Sequence, residues 1–113
     1  MYDPSKKDKE DFLFKCIEFA PKNPLEGALW LELIFNMPRP KSHYRTGKNS
    51  HLLKSNAPVM HTKKPDLDNL VKFVCDSIDK KFYLDDSQIT RIQAVKLYSE
   101  EPSTEITIME DSL

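Results

Sequence analysis

The chain has 113 residues, which is enough for one domain and too few for two. It is 39% hydrophobic and 31% charged, and it contains no apolar run near the roughly 18 residues that a membrane span needs. The first residues, MYDPSKKDKEDF, lack the apolar core of a signal peptide, and two cysteines are too few for a disulfide scaffold. These features exclude a disulfide-rich or membrane-spanning class and predict a small soluble protein of the cytoplasm.

The first predicted element is a helix that begins at Pro4 and Ser5, with Ser5 as its N-cap, and ends before Pro21. Its apolar residues recur at helical spacing and share one face: Phe12, Leu13, Cys16, Ile17 and Ala20. Because Cys16 belongs to this face, it is expected to be a core residue rather than a reactive thiol.

Residues 28–35 are predicted to form a strand, which Pro38 and Pro40 end. Both alternating sets of side chains in this run are largely apolar. That pattern is typical of a strand that is covered on most of both faces.

The next segment, residues 39–64, is called the basic segment here, because it contains seven Lys or Arg and no Asp or Glu. Its composition and its lack of periodicity predict a long loop, of the kind that is often functional or mobile. Its cations form either a solvated surface or a contact with a polyanion such as DNA, from which they would release counterions. They are Arg39, Lys41, Arg45, Lys48, Lys54, Lys63 and Lys64.

The second predicted helix is the clearest element of the chain. Its apolar face consists of Leu67, Leu70, Val71, Val74, Cys75 and Ile78, so Cys75 is also expected in the core. Its polar face carries Asp68, Lys72, Asp76 and Asp79.

Two strands are predicted to follow, within SQITRIQAVKLYSE and STEITIME. The turn at residues 101–103 is short, so the two strands are expected to be antiparallel neighbours. The order helix, strand, helix, strand, strand predicts an α+β fold. It would be a two-layer sandwich, with two helices on one face of a small, mainly antiparallel sheet.

Four aspartates are the candidate metal ligands of the sequence. Asp66 and Asp68 flank a leucine at the start of the second helix, and Asp85 and Asp86 come directly before a strand. Hard cations such as Mg²⁺ prefer carboxylate oxygens, so carboxylates meeting beside the basic segment would form a metal site for phosphodiester hydrolysis. Lys72, one turn after Asp68, would neutralise charge on the phosphate or position water.

Simpler interpretations of the same residues remain open at this point. Asp68 and Lys72 could form an ordinary i,i+4 pair worth about 0.3 kcal/mol. Asp66 could be a helix cap, and Asp85 with Asp86 could form a turn. A structural zinc site is disfavoured, because the three histidines are widely spaced in a loop and both cysteines lie on apolar faces.

The run PDLDNLVK, its amphipathic helix, and DDSQI leading into a strand resemble the RusA family of Holliday junction resolvases. These are small dimeric endonucleases of phages and prophages. The opening MYDPSKK and the Pro-Arg-Pro passage at 38–40 are also similar. The resemblance implies a RusA-like endonuclease domain over residues 1–113 that acts as a homodimer on four-way junction DNA. It implies paired symmetric nicks, in recombination and repair, with Mg²⁺ or, as a substitute, Mn²⁺.

The same resemblance implies roles for individual residues. The metal ligands of the family correspond to Asp66, Asp68 and Asp86, with Asp85 as the alternative to Asp86. Lys72 falls on the catalytic lysine of the family. Asp76 falls on a recurring helix aspartate to which we assign no role.

Two departures from the family pattern shape further expectations. Relatives usually begin with a strand and a Pro/Arg-rich loop before the position of Tyr2, so we expect this chain to lack the N-terminal strand of the family. Residues 77–81 replace an Asn-Gly turn of many relatives. An open sheet edge invites pairing with another chain, so we expect a dimer or a higher assembly.

Two rival functions stay open at this stage. One is a branched-DNA-binding module of the same fold without catalytic activity. The other is a structural phage protein that does not bind nucleic acid.

Overall fold

The computed structural model describes residues 6–112, so the predicted N-cap Ser5 lies outside the described part. The elements are the helices α1 (Lys6–Cys16) and α2 (Leu67–Ile78) and the strands β1 (Leu29–Pro38), β2 (Ile89–Ser99) and β3 (Ser103–Glu110). The predicted α+β class is confirmed. Within residues 6–112, neither helix has the length and apolar character needed to cross a bilayer.

The three strands form one mixed sheet in the order β2-β1-β3. β2 runs parallel to β1, and β3 runs antiparallel to it. The prediction that the last two strands are hydrogen-bonded neighbours is therefore wrong, and the sheet is mixed rather than mainly antiparallel. Residues 100–102 cross the end of β1 instead, where Pro38 pairs with Ser99 and Asn36 pairs with Ser103. The apolar β1 takes the central position, because pairing on both sides buries it best.

Only one face of β1 is fully buried. From Leu29 to Phe35 its odd-numbered side chains are at most 3% exposed: Leu29, Leu31, Leu33 and Phe35. The even-numbered ones, including Trp30 and Ile34, are partly exposed. The even-numbered face is therefore covered less than the sequence pattern predicts, because the core residues in the described part pack against the odd-numbered face. The side chains that pack there include Val74 and Ile78 of α2, followed by Phe82 and Tyr83.

The opposite face of the sheet is covered in part by its own side chains. The Arg91 guanidinium lies 4.6 Å from the centre of the Trp30 ring. It also forms an ion pair with Asp111, whose carboxylate accepts a further hydrogen bond from Thr90. These bonds, led by the one from Arg91, lower the pKa of Asp111 to about 2. The cluster connects β2 to the end of β3 across β1.

Helix α1 packs on α2 through an aromatic and an ionic contact. The rings of Phe12 and Phe73 meet edge to face at 5.6 Å, and Lys9 lies 3.4 Å from the carboxylate of Asp76. The predicted apolar face of α1 packs against the core, except for Ile17, which is 42% exposed. Ile17 differs because the α-helix ends at Cys16 and a 3-10 turn, Ile17–Phe19, follows.

The basic segment is irregular, as predicted, but it has local order. Short 3-10 turns occur at Lys41–His43 and Gly47–Asn49. Its last part lies along the outer edge of β2, where the His61 amide donates to the Lys96 carbonyl at 3.1 Å and the Tyr98 amide donates to Val59 at 2.9 Å. The segment is thereby attached to the sheet just before α2.

Candidate functional site

Asp66 and Asp68 lie at the N-terminal end of α2, and both are exposed. Asp66 occupies the N-cap position by its backbone, with φ −68° and ψ 145°, but its carboxylate accepts no capping hydrogen bond. The interpretation of its side chain as a cap is therefore wrong. The positive end of the helix dipole favours two negative charges at this end of the helix.

The simple i,i+4 pair between Asp68 and Lys72 is also not formed. Among the ion pairs of residues 6–112, none joins these two side chains. Lys72 is exposed on the polar face of α2, one turn from Asp68. Its charge is thus available to an anion near the start of the helix.

The start of α2 is held by a lysine of the neighbouring strand, Lys96. Lys96 of β2 donates from Nζ to the carbonyl oxygens of Lys63 and Pro65, each at 2.7 Å. Pro65 directly precedes Asp66, so strand β2 fixes the backbone next to the carboxylate pair.

Asp85 has a structural task in the turn before β2. Its carboxylate accepts the backbone N–H of Ser87 at 2.9 Å and the ammonium of Lys80 at 3.1 Å. Hydrogen bonds from the hydroxyl and the backbone N–H of Ser87, and then from Lys80, lower the pKa of Asp85 to about 2. The turn interpretation is therefore confirmed for Asp85, which caps the 3-10 helix Asp86–Gln88.

Gln88 completes this turn with four hydrogen bonds. Its side-chain oxygen accepts the backbone N–H groups of Leu84 and Asp85 at 2.7 and 2.8 Å. Its side-chain nitrogen donates to the carbonyls of Leu25 and Gly27, each at 3.0 Å. The amide of Gln88 thus connects the DDSQ turn to the segment that leads into β1. A Gln side chain suits this position because it can both accept and donate hydrogen bonds.

Asp86 is held by Tyr83 rather than by its own turn. The hydroxyl of Tyr83 donates to Oδ1 of Asp86 at 2.7 Å and lies 3.4 Å from the carbonyl oxygen of Cys75. Burial and this hydrogen bond raise the pKa of Tyr83 far above its ordinary value, so the phenol stays a donor. Asp86 therefore lies beside the C-terminal half of α2.

A second carboxylate lies near Asp86. Burial and then the charge of Asp86 raise the pKa of Asp79. Its Oδ1 is a buried oxygen with no hydrogen-bond partner within residues 6–112. The C-terminal end of α2 is thus an acidic region, distinct from the pair at the N-terminal end.

The predicted ligands do not form a ready three-carboxylate group. Asp66 and Asp68 share one end of α2, whereas Asp86 contacts Tyr83 near Cys75. In the part of the chain described, no three His, Cys, Asp or Glu side chains form a metal-binding group. The donor chemistry nevertheless suits Mg²⁺, which is commonly held by one or two carboxylates together with water and substrate phosphate.

The seven cations of the basic segment fall into two groups. Two arginines support the fold of the segment itself: Arg39 donates to the Pro58 carbonyl at 2.8 Å and lies over the Tyr98 ring, and Arg45 donates to the Leu53 carbonyl at 3.2 Å. The five lysines are exposed: Lys41, Lys48, Lys54, Lys63 and Lys64. These lysines offer most of the accessible positive charge.

Both cysteines pack against the core, as predicted. Burial raises the pKa of Cys16, and burial together with nearby aspartates raises the pKa of Cys75 to about 11. Neither thiol is activated for nucleophilic chemistry at neutral pH.

Comparison with known families covers nearly the whole chain. Residues 2–109 match the family described as endodeoxyribonuclease RusA. The chain belongs to the RusA endodeoxyribonuclease family. A relative from Bacillus subtilis (strain 168), described as uncharacterized protein YqaN, is 32% identical over 114 residues, covering 99% of this chain and 80% of YqaN. No solved structure matches the chain.

Within this RusA-family chain, sequence patterns do not indicate the roles of Tyr83 and Lys96. Both lie in apolar runs and resemble ordinary core or surface residues there. In the strand register Lys96 is paired with the buried Phe35, so it shares the face on which the helices pack. A lone lysine at such a register position is the signal that would have indicated a specific polar contact.

Proposed function

We propose that this chain is a Mg²⁺-dependent endonuclease that resolves Holliday junctions by paired symmetric nicks in DNA recombination and repair. The observation that carries the proposal is the RusA-family match over residues 2–109. It is supported by two exposed carboxylates, Asp66 and Asp68, which follow the exposed Lys63 and Lys64. The Asp66 carboxylate makes no capping hydrogen bond. Acidic ligands beside cations suit a site that binds both a metal and a phosphodiester.

The proposed site has a simple distribution of roles. Asp66, Asp68 and Asp86 would hold the cation, which would supply Lewis-acid polarisation of the phosphate and an activated water. Lys72 stabilises charge that develops on the phosphate oxygens, from its exposed position one turn along α2. Asp85 is left to its capping task.

The basic segment supplies the proposed DNA contact. Its exposed lysines can each neutralise a phosphate, while Arg39 and Arg45 keep the segment folded. The segment is attached to β2 immediately before α2, so bound DNA would be brought toward Asp66 and Asp68. Contacts of this kind give affinity with a strong salt dependence.

A homodimer fits the proposed reaction, because two symmetric nicks call for two copies of the site. The surface beside β3 is suited to a second copy. Within residues 6–112 the outer edge of β3 pairs with no other strand, and it borders an apolar groove. Phe19 lines the groove and is 75% exposed, and Phe14 of α1 is 80% exposed. Such a surface favours association in water.

The alternative function is binding of branched DNA without cleavage. It is favoured by one observation, namely that the three proposed ligands are not gathered into one group within the described residues. Under this alternative the basic segment would act in the same way, and the carboxylates would have no catalytic role.

Incubation of the protein with a labelled synthetic four-way junction, with and without Mg²⁺, separates these functions. A linear duplex of the same arm sequence is the substrate control. We expect paired nicks in the junction only when Mg²⁺ is present. Salt-dependent binding without nicks would favour the binding module, and the absence of binding would overturn both.

A further inference from the structure

Tyr83 connects the Asp86 carboxylate to the protein core. Its side chain is fully buried and belongs to the cluster that packs on β1. Asp86 is exposed and lies in a 3-10 helix of three residues. Close packing immobilises the Tyr83 hydroxyl, which donates a 2.7 Å hydrogen bond to the Asp86 carboxylate. Without this bond, the exposed carboxylate would be free to rotate.

We propose that Tyr83 is a positioning residue, whose buried hydroxyl fixes the orientation of the Asp86 carboxylate toward a divalent cation. The inference rests on the proposed function, in which Asp86 is a ligand. With Oδ1 of Asp86 held by the Tyr83 hydroxyl, Oδ2 would be the oxygen open to a cation. The same hydroxyl also contacts the Cys75 carbonyl, so the orientation of the Asp86 carboxylate is fixed relative to α2. The N-terminal end of that helix carries Asp66 and Asp68.

The expected size of the effect follows from other metal sites. Groups that hydrogen-bond to ligands fix their orientation, and removing them typically costs about 10- to 100-fold in metal affinity or activity. Tyr83→Phe removes only the hydroxyl and keeps the ring in the core. We therefore expect this variant to bind Mn²⁺ about 10-fold more weakly than the unchanged protein, with a similar melting temperature.

The experiment titrates Mn²⁺ alone into the full chain and follows binding by calorimetry, without DNA. Ser77→Ala is the matched control, because Ser77 is also buried and its hydroxyl donates to the Phe73 carbonyl within α2 at 2.6 Å. Asp86→Asn is measured in parallel. A second measurement compares the Mg²⁺ concentration for half-maximal cleavage with the affinity for junction DNA in the absence of metal.

Weaker Mn²⁺ binding by Tyr83→Phe, an unchanged Ser77→Ala and an unchanged metal-free affinity for DNA would support the inference. If Asp86→Asn loses Mn²⁺ affinity while Tyr83→Phe binds as tightly as the unchanged protein, or more tightly, the positioning role is overturned. An equal loss in Ser77→Ala would also overturn it, since the effect would then be a general disturbance of α2. If Asp86→Asn itself keeps full Mn²⁺ affinity, the ligand assignment in the proposed function fails, and the inference fails with it.

Discussion

The ammonium group of Lys96 lies 2.7 Å from the carbonyl oxygen of Pro65, so a residue of β2 holds the backbone immediately before Asp66. The same group also donates to Lys63. One strand side chain therefore unites the sheet, the end of the basic segment and the start of α2. Removing these two hydrogen bonds should lower the free energy of unfolding.

We expect Lys96→Met to lower the free energy of unfolding by about 1–2 kcal/mol, because two hydrogen bonds from a charged donor are removed at a partly exposed site. Urea denaturation measures the effect. Lys64→Met is the control, since Lys64 is an exposed lysine of the same region. Equal urea midpoints for Lys96→Met and Lys64→Met would show that the two hydrogen bonds contribute no stability.

The carboxylate pair gives a second prediction. Asp66→Asn and Asp68→Asn should each abolish Mg²⁺-dependent junction cleavage while leaving junction binding intact or slightly stronger, because a negative charge is removed from a site that meets phosphate. Cleavage and gel-shift assays on the same preparations measure both properties.

Asp11→Asn is the control for this pair, since it removes one charge from an exposed i,i+4 pair with Lys7 on α1. It should cleave normally. Cleavage at the unchanged rate by either α2 variant would remove that residue from the proposed site.

The basic segment gives a third prediction. Changing Lys41, Lys48 and Lys54 together to Gln should weaken junction binding and reduce the slope of log affinity against log salt by up to about 3, at about 0.9 for each phosphate that is no longer neutralised. Fluorescence anisotropy at several salt concentrations measures the slope.

The matched control neutralises three exposed lysines outside the basic segment: Lys6, Lys7 and Lys22. We expect its salt slope to stay close to that of the unchanged protein. The same slope in both triple variants would mean that the basic segment is only a solvated surface.

The Arg91–Asp111 pair gives a prediction about pH. The pKa of Asp111 is lowered from 3.8 to about 2 in the folded protein, so the pair contributes its full stability above about pH 4. That contribution disappears as pH falls from about 4 toward 2, because the carboxylate becomes protonated. Asp111→Asn should therefore be less stable than the unchanged protein at pH 7, and the difference should shrink near pH 2. Thermal unfolding followed across this range tests the sign, which a constant difference would contradict.

Association gives a fifth prediction. Light scattering at several concentrations should yield about twice the chain mass of 13.2 kDa. Changing both Phe14 and Phe19 to Ser should shift the protein toward the monomer, because both rings are largely exposed and Phe19 lines the groove at β3. Leu84→Ser is the control, since Leu84 is 52% exposed in the turn region before β2. A monomer at high concentration that still nicks junctions in pairs would contradict the dimer.

The spacing of apolar residues along the sequence was sufficient to predict the helices and strands, because this spacing differs between a helix and a strand that each bury one face. The stripe of α2 is a clear case, with Val74 and Ile78 buried as expected. Strand pairing was not predictable in the same way. Residues 100–102 look like an ordinary hairpin turn, and no local signal shows that β1 lies between the strands they connect.

The candidate site was predictable as a set of residue types, but not as an arrangement. Acidic residues at a helix start and before a strand are visible in the sequence. Asp85 and Asp86 are adjacent and chemically identical, however, and only tertiary contacts distinguish them. Asp85 caps its own turn, while Asp86 meets a tyrosine that the fold places beside α2.

The central position of β1 also determines when the protein can fold. Both of its hydrogen-bonding edges are completed by residues 89–110, more than 50 positions further along the chain. Contacts so distant in sequence carry a large loop-closure entropy and slow the folding reaction. During synthesis, the apolar β1 would therefore stay unpaired until residues 89–110 have left the ribosome. We expect a nascent chain that stops before Ser103 to be sensitive to proteases and to bind chaperones.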